Sequence, residues 1–200
     1  MQQMKKLGFG MMRLPLLNEE DKKSIDKKTV CQMVDTFMER GFTYFDTAYM
    51  YHEYESERAM KDVLVTRKDR DSYTLASKLP VMQLKEKEDM ERIFNEQREK
   101  CGVEYFDYYL LHALDAEHYK NVKRLDCFGF AMQKKAEGKV KHVGFSFHDS
   151  AEVLDQILTE HPEAEFVQLQ LNYLDWEDEK VQSRKCYETA VKHGKKVVVM

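Results

Sequence analysis

Short apolar segments alternate with longer amphipathic segments along almost the whole chain. The apolar segments are rich in Val, Leu, Phe and Tyr and read, in order, KKLGFGMMRL, FTYFDTA, SYTLASKL, YFDYYLLH, KHVGFSF, FVQLQLNY and KKVVVM. Each has the length and composition of a β-strand, and continuous runs such as YYLL and VVV are typical of strands buried on both faces. Strands separated by helical segments predict a parallel sheet with crossover helices.

The amphipathic segments between the strands have the periodicity of helices. They span residues 29–40, 56–66, 86–101, 119–136, 151–160 and 178–193. A capping box formed by Thr29 and Gln32 predicts the start of the first helix, and Gly41 predicts its end. Ser56 predicts an N-cap for the second helix, and Gly102 predicts the end of the third.

The number of strands favours a TIM-type (β/α)8 barrel over a small doubly wound sheet. Such barrels use eight strands and about 250 residues, whereas this chain has 200 residues and ends at Met200 within the predicted seventh strand. No linker rich in Pro, Gly or Ser divides the chain. We therefore expect a single α/β barrel domain over residues 1–200, truncated within the seventh strand, and a fragment of a longer protein with two open sheet edges.

Composition and charge exclude several classes of protein. With 42% hydrophobic and 34% charged residues, the chain can form one sizeable core, and no apolar run reaches the roughly 18 residues of a membrane span. Lys and Arg number 32 against 36 Asp and Glu, a net charge of −4, so there is no basic footprint for nucleic acid. The N-terminus shows no signal-peptide cleavage site and the four cysteines form no CxxC pair, which predicts reduced thiols in the cytoplasm and no metal centre.

Three consecutive predicted strands end in an ionisable residue. Strand 2 ends at Asp46, strand 3 at Lys78 and strand 4 at His112, and Tyr51 lies in the loop after strand 2. An apolar strand that ends in an ionisable group is costly unless the group is paired or functional. Because the carboxyl ends of barrel strands carry the chemistry, we expect these residues to converge at one mouth. Taken singly, Asp46 also fits a turn, Lys78 a strand leaving the core, and His112 a hydrogen-bonded core histidine.

Motifs in a fixed order and spacing make the chain resemble the aldo-keto reductases over essentially its whole length. They are LGFG at 7–10, FDTAYMY at 45–51, ASKLP at 76–80, DYYLLH at 107–112, KVKHVGFSFH at 139–148 and VQLQLNY at 167–173. The set is a specific signal, whereas each motif alone would be weak. The resemblance implies a barrel that reduces aldehydes or ketones to alcohols with NADPH or NADH. It also implies a catalytic tetrad, which maps onto Asp46, Tyr51, Lys78 and His112.

The residue types of this tetrad suit carbonyl reduction on chemical grounds. Hydride addition to a carbonyl develops negative charge on oxygen, which requires a proton or a hydrogen-bond donor. A tyrosine hydroxyl has an ordinary pKa of about 10 and needs a nearby cation to transfer its proton near neutrality. We expect Lys78 to be that cation, Asp46 to hold and neutralise it, and neutral His112 to orient the carbonyl oxygen for Tyr51.

Polar residues in strands 5 and 6 match the family's cofactor site. Strand 5 ends at Ser146, and strand 6 carries Gln168, Gln170 and Asn172. The resemblance implies that Ser146 and Gln168 hold the nicotinamide carboxamide. The family usually has Asn after this serine, whereas this chain has Phe followed by His148. That contact is therefore lost or taken over by His148.

The resemblance also implies that the cofactor lies beside Asp46 and beside the loop after strand 1. There the backbone of Gly10, Met11 and Met12 would approach it. The choice between NADPH and NADH stays open, because the residues that would contact the 2′-phosphate are not in this sequence. Strands 5 and 6 resemble a bacterial subgroup with a C-terminal ferredoxin-like segment, so an iron–sulfur cluster is expected only if a segment beyond Met200 exists.

Three alternatives stay open at this point. The chain could be a nicotinamide-binding barrel without catalysis, such as a sensor or regulatory subunit, or an inactive fragment of a longer reductase. A metal-dependent hydrolase using His52, His112 and His148 would leave Lys78 and Tyr51 unexplained. The expected partner is a small-molecule carbonyl substrate, with neither nucleic acid nor membrane, while substrate identity and oligomeric state are not predicted. The candidates for lining the barrel mouth are Tyr49, His52, Tyr54 and Trp176.

Overall fold

The computed structural model describes residues 5–200, and this part of the chain forms a seven-stranded sheet whose spatial order follows the sequence. The strands are β1 (Gly8–Gly10), β2 (Tyr44–Asp46), β3 (Thr74–Leu79), β4 (Phe106–Leu114), β5 (Val140–Phe147), β6 (Phe166–Leu169) and β7 (Lys196–Val199). Strands β1, β2 and β3 pair in parallel, and so do β5, β6 and β7. All the predicted strands are thereby confirmed, with ends that differ by a few residues.

Helices occupy the segments between the strands. They are α1 (Lys27–Glu39), α2 (Ser56–Met60), α3 (Glu88–Cys101), α4 (Ala116–Leu125), α5 (Cys127–Ala136), α6 (Ala151–Glu160) and α7 (Ser183–Lys192). Helix α2 continues as a π-helix over Lys61–Val65. Within residues 5–200, no helix combines the length and the apolar character that crossing a bilayer requires.

Two predicted N-terminal caps are wrong: another side chain caps the first helix, and no side chain caps the second. Helix α1 begins earlier than predicted, since the Asp26 carboxylate accepts hydrogen bonds from the Thr29 amide at 3.1 Å and the Thr29 hydroxyl at 2.6 Å. A carboxylate at the N-cap replaces the predicted capping box. Ser56 is not an N-cap either, because its hydroxyl donates to the Met11 carbonyl at 3.1 Å. The predicted ends hold, with Gly41 and Gly102 at φ of 79° and 71°.

Two further helices are shorter than predicted. The predicted helix over 119–136 is divided at Asp126, which has φ 60° and ψ 50° and caps the Gly129 amide of α5. A left-handed residue cannot continue a right-handed helix. The predicted helix over 178–193 begins only at Ser183, because the Asp178 carboxylate accepts from the amides of Lys180 and Val181 and so closes a turn there.

The chain divides into two compact units, and the first comprises the residues up to Lys78 together with 91–108. Its core contains an aromatic cluster in which the Phe37 ring lies 5.5 Å from Phe9 and 5.2 Å from Phe45, both edge-on. The register places Gly10 beside Asp46 and Asp46 beside Ala76. The parallel strands therefore bring the Gly10 backbone and the end of β2 together.

The second unit comprises residues 79–90 and 109–200. Its strands β5 and β6 place Gly144 beside Phe166 and Ser146 beside Gln168. A side chain at Gly144 would collide with the Phe166 carbonyl oxygen and ring, so glycine permits this close approach. That approach sets the register of the two polar side chains. The expectation of one domain over 1–200 stays a prediction.

Candidate active site

In the first unit, Lys78 contacts two other predicted catalytic residues, Asp46 and Tyr51. Lys78 is 1% exposed, and its ammonium donates to an Asp46 carboxylate oxygen, to the Thr47 carbonyl at 2.8 Å and to the Tyr51 hydroxyl oxygen at 3.3 Å. An ammonium has three donors, and here each has an acceptor. Strand β2 ends at Asp46 as predicted, while β3 runs one residue past Lys78 to Leu79.

The environment of Lys78 keeps the side chain charged. Burial disfavours its charged form, but the Asp46 carboxylate and the Tyr51 hydroxyl outweigh burial, so the pKa of Lys78 is raised above its ordinary 10.5. The Tyr44 hydroxyl lies 3.5 Å from the second Asp46 oxygen. Burial and then the Asp46 charge raise the pKa of Tyr44 well above 10. The site therefore contains a fixed cation that donates to Tyr51 beside a neutral phenol.

Hydroxyl groups link this cluster to the segment after β1. The Thr47 and Ser56 hydroxyls lie 2.8 Å apart, and Ser56 donates to the Met11 carbonyl. The Met11 amide donates to the Asp46 carbonyl at 2.8 Å. Met11 is fully buried, whereas the neighbouring Met12 is 56% exposed. The backbone at Gly10 and Met11 is thereby fixed against the end of β2.

A buried network of polar side chains contacts the backbone of Lys78. The Gln97 side-chain amide donates to the Lys78 carbonyl at 3.0 Å, to the Ser77 hydroxyl oxygen at 3.0 Å and to Glu57 at 2.8 Å. Ser77 also donates to Glu57 at 2.7 Å. Burial raises the pKa of Glu57 above 4.5, although the bonds from Ser77 and Gln97 and the charge of Lys100 act in the opposite direction. This network fixes the backbone from which Lys78 projects.

Tyr51 precedes a strained turn. His52, Glu53 and Tyr54 have φ values of 51°, 50° and 75°, which is the left-handed region. Each such residue costs about 1–2 kcal/mol relative to right-handed backbone. The turn closes through bonds from the Glu55 amide to the His52 carbonyl at 3.1 Å and from the Ser56 amide to the Tyr51 carbonyl at 3.2 Å. Strain of this kind persists only where surrounding contacts hold it, and it concentrates at functional sites.

His112 lies within β4 in the second unit. The strand continues to Leu114, so the prediction that it ends at His112 is wrong by two residues. Ala113 has φ 55°, and its amide donates to the Ser146 hydroxyl oxygen at 2.8 Å while its carbonyl contacts the His118 Nδ1 at 2.7 Å. These two contacts hold the strained backbone next to His112.

Ser146 and Gln168, the predicted carboxamide ligands, are neighbours in register and are 1% and 5% exposed. Strand β6 ends at Leu169, so the prediction that it carries Gln170 and Asn172 is wrong. Asn172 instead forms a turn in which its Oδ1 accepts from the amides two and three residues on. Side-chain bonding of this kind competes with strand pairing.

His148 lies beside a cavity of about 240 Å³ after β5 and β6, which Gln170, Ser183 and Cys186 also line. The His148 amide donates to the Leu114 carbonyl at 2.9 Å. Burial lowers the pKa of His148 below 6.5. The imidazole is therefore neutral near pH 7.

Two residues considered for the barrel mouth have local packing roles. The Tyr49 hydroxyl donates to Glu96 at 2.9 Å, and Lys100 lies 4.2 Å from the Tyr49 ring centre. Burial and the Glu96 bond raise the pKa of Tyr49 to about 12. The Trp176 ring lies 5.9 Å from the Tyr187 ring. In residues 5–200, no group of three or more His, Cys, Asp or Glu is arranged to hold a metal ion.

Sequence reasoning missed the residues that support Lys78. They are Tyr44, Thr47, Ser56, Glu57, Ser77 and Gln97. The one available signal was Ser77, a polar position inside an apolar strand. Gln97 lies on a highly charged helix, where periodicity does not distinguish it from its exposed neighbours.

Solved structures that resemble this chain indicate its class of fold. The chain is similar to a solved protein from Pseudomonas aeruginosa assigned to the aldo-keto reductases, with a TM-score of 0.78, 19% identity, and coverage of 98% of this chain and 73% of that one. For an aldo/keto reductase from Brucella melitensis the TM-score is 0.69 and the identity 20%, and the match covers 96% of this chain and 66% of that one. For an aldo-keto reductase from Klebsiella pneumoniae in complex with NADPH the TM-score is 0.69 and the identity 19%, and the match covers 97% of this chain and 62% of that one. The predicted barrel class is confirmed, and the chain spans roughly two thirds of these structures.

The family follows from the sequence match. Residues 6–200 match the profile of the Aldo/keto reductase family. The chain therefore belongs to the Aldo/keto reductase family, as its motifs predicted. No curated protein matches the chain at a significant level.

Proposed function

We propose that this chain carries the reducing site of an NAD(P)H-dependent oxidoreductase that converts aldehyde or ketone carbonyls to alcohols. The observation that carries the proposal is the Lys78 ammonium, which is buried, held by Asp46 and donates to the Tyr51 hydroxyl oxygen. A cation donating to a phenol oxygen stabilises the phenolate and so eases loss of the phenolic proton. Membership of the Aldo/keto reductase family supports the same reaction class.

Tyr51 is the proton donor in this proposal. When bound, the reduced nicotinamide supplies a hydride to the carbonyl carbon, and the electron pair of the carbonyl π bond moves to the oxygen. The Tyr51 O–H bond breaks as that oxygen takes the proton, which gives the alcohol. Lys78 stabilises the resulting phenolate, Asp46 keeps Lys78 in place, and a proton from solvent restores the phenol.

The assignment of His112 rests on its motif, DYYLLH. The family resemblance makes it the side chain that donates a hydrogen bond to the carbonyl oxygen and orients it. Such a donor stabilises charge that develops on oxygen in the transition state. That the His112 imidazole is neutral stays a prediction.

The residues proposed for the cofactor have the chemistry that a carboxamide requires. The Ser146 oxygen accepts from the Ala113 amide, which directs the hydroxyl hydrogen toward another acceptor. Gln168 beside it in register carries both a donor and an acceptor. A side chain at Gly10 would meet no atom within 4 Å, so this backbone is accessible to a ligand. We propose Gly10, Met11 and Asp46 for the cofactor's approach along β1 and β2.

Met12 is proposed to contribute only its backbone, since its side chain is exposed. NADPH is one candidate and NADH the other. A cytoplasmic location and a small-molecule carbonyl partner stay predictions.

Titration with NADPH and NADH, followed by aldehyde turnover, tests this function. The expected result is saturable binding of one cofactor and turnover that falls by about 10²–10⁴-fold in Tyr51→Phe, because the phenylalanine has no proton to give. Cofactor affinity should change less than about twofold, since the phenol contributes to chemistry rather than to this binding. Lys6→Met, an exposed substitution in the same unit, is the control.

Unchanged turnover in Tyr51→Phe would contradict the proposed role of Tyr51. Binding without turnover in the wild type would instead favour a non-catalytic nicotinamide-binding barrel. A folded chain that binds neither cofactor would overturn the proposal for this chain.

A further inference from the structure

A narrow antiparallel segment, residues 14–26, follows β1 and is here termed the hairpin segment. Leu16 and Ile25 form its bridge, and the Leu17 amide donates to the Ser24 carbonyl at 2.6 Å. Its tip is exposed and charged from residue 19 to residue 23. Only Leu14 and Ile25 at its base are buried, with exposures of 5% and 6%. Asn18, Asp21 and Ser24 form hydrogen bonds within the tip, and contacts from outside the segment connect it to the rest of the unit.

His52 supplies such contacts to both arms of the hairpin segment. Its Nε2 lies 3.0 Å from the Leu14 amide, and its Nδ1 lies 2.9 Å from the Lys22 carbonyl oxygen. A backbone amide only donates and a carbonyl only accepts. Nε2 must therefore be unprotonated and Nδ1 must carry the hydrogen. The two contacts select one neutral tautomer of the imidazole.

His52 also opens the left-handed turn that follows Tyr51. Its carbonyl accepts from the Glu55 amide, and the adjacent Tyr51 carbonyl accepts from the Ser56 amide. The Ser56 hydroxyl in turn holds the Met11 carbonyl. The turn is thus anchored at its end through Ser56 and at its start through the imidazole of His52.

We propose that His52 is a positioning residue whose neutral Nδ1–H tautomer ties the hairpin segment to the turn after Tyr51, and so keeps the Tyr51 oxygen at the Lys78 ammonium. The catalytic consequence rests on the proposed reductase function, whereas the tie itself does not. Protonation of His52 gives the ring two donors and sets Nε2–H against the Leu14 amide hydrogen, which breaks the tie.

Charged groups around His52 are engaged with other partners. On the hairpin segment, the Lys22 ammonium donates to the Glu19 carbonyl at 3.0 Å, and Lys23 pairs with Glu53 at 3.8 Å. On the turn, Glu55 pairs with Arg58 at 3.7 Å. The pair of Lys23 with Glu53 is exposed and joins the same two segments. Because exposed ion pairs contribute little, this pair does not replace the two contacts of the imidazole.

Imidazole ¹⁵N NMR of the whole chain tests the tautomer directly. At pH 8, His52 should show a protonated Nδ1 and an unprotonated Nε2, without averaging between tautomers. Loss of the Nε2 acceptor should speed hydrogen exchange of the Leu14 amide about tenfold in His52→Ala. The Leu17 amide, which bonds within the hairpin segment, is the internal reference. An Nε2–H tautomer, averaged tautomers, or an unchanged Leu14 exchange rate would overturn the proposal.

The second measurement compares kcat and KM in three variants. His52→Ala should lower kcat about tenfold with little change in KM, because misplacement of a reacting group affects the chemical step. His52→Gln keeps an uncharged side chain with both an acceptor and a donor, so it should recover much of that loss. His193→Gln, at the end of α7 and paired with Asp155, is the control histidine.

A kcat unchanged in His52→Ala, or one that His52→Gln fails to recover, would overturn the positioning role. Absence of turnover in every form, including the wild type, would contradict the proposed function instead. In that case the NMR tautomer and the Leu14 exchange rate still decide whether the tie exists.

Discussion

The polar side chains around Lys78 and those around Ser146 differ in the partners of their hydrogen bonds. Around Lys78, side chains bond largely to other side chains: Asp46, Tyr51 and, behind them, Ser77 with Glu57. Ser146 instead uses its oxygen to hold the backbone amide of Ala113. The first arrangement fixes a charge internally, and the second leaves a hydroxyl hydrogen that can be directed to a ligand.

This difference has an energetic consequence. Removing one member of a buried ionic network leaves its partner buried without compensation. Removing a hydroxyl at a strand end leaves only one amide without an acceptor. Substitutions near Lys78 should therefore act mainly on stability and chemistry, whereas substitutions at the ends of β5 and β6 should act mainly on binding.

The largest effect should come from Lys78→Met. The substitution leaves the Asp46 carboxylate buried without its ammonium, which should lower the free energy of unfolding by about 3–5 kcal/mol in urea denaturation. Because the folded pKa of Lys78 is raised, its contribution is full below the unfolded value of 10.5 and is lost as the pH rises through the folded pKa. The exposed Lys6→Met should change stability by less than about 0.5 kcal/mol. If Lys78→Met and Lys6→Met lowered stability equally, Lys78 would not belong to a stabilising buried network.

Gly144→Ala should have the next largest effect. The added methyl group would meet the Phe166 carbonyl and ring, so β5 and β6 must separate. Overpacking of this kind costs about 1–3 kcal/mol, which urea denaturation measures. Gly10→Ala is the matched control, because no atom lies within 4 Å of the added group. A stable Gly144→Ala protein would show that the close register of Ser146 and Gln168 is not required.

Two serine substitutions sharpen the comparison at a smaller scale. Ser146→Ala should weaken nicotinamide cofactor binding about tenfold and lower stability by roughly 1 kcal/mol, because it removes a ligand donor and the Ala113 acceptor. Ser77→Ala should lower stability similarly, by loosening Glu57 and Gln97, but leave cofactor affinity nearly unchanged. Fluorescence titration and urea denaturation of both variants measure these effects. If the two serines weakened binding equally, the contrast between the regions would be wrong.

Glu57→Gln should have the smallest effect and a distinct pH dependence. Burial raises the folded pKa of Glu57 above 4.5, so the folded state binds its proton more tightly than the unfolded state does. Wild-type stability should therefore fall relative to the Gln variant as the pH rises from 4.5 through the folded pKa. Urea denaturation across that range measures the difference. A constant difference between the two proteins would mean that burial does not perturb Glu57.

The sequence predicted more of the fold than of the site's support. Alternation of apolar and amphipathic segments identified every strand of residues 5–200, because period and length are local properties. The helix starts failed at Asp26, whose side chain caps α1, and before Ser183, where the Asp178 carboxylate closes a turn. Chain order predicted which strand ends carry Asp46 and Lys78, since parallel strands bring those ends to one edge.

The residues that make Lys78 a fixed cation could not be predicted in the same way. Gln97 reaches the Lys78 carbonyl from a helix nineteen positions away along the chain, and no local pattern records such a contact. The imidazole of His52 similarly depends on the conformation of the hairpin segment. The sequence contained the residue types, and the tertiary fold determined which of them meet.

The central claim is that Lys78 is a cation held by Asp46 and directed at Tyr51. A ¹³Cε NMR titration of Lys78 tests it most directly. We expect a midpoint above 10.5, and a lower midpoint in Asp46→Asn, where burial acts without the carboxylate. A wild-type midpoint well below 10.5, or one unaffected by Asp46→Asn, would contradict the account.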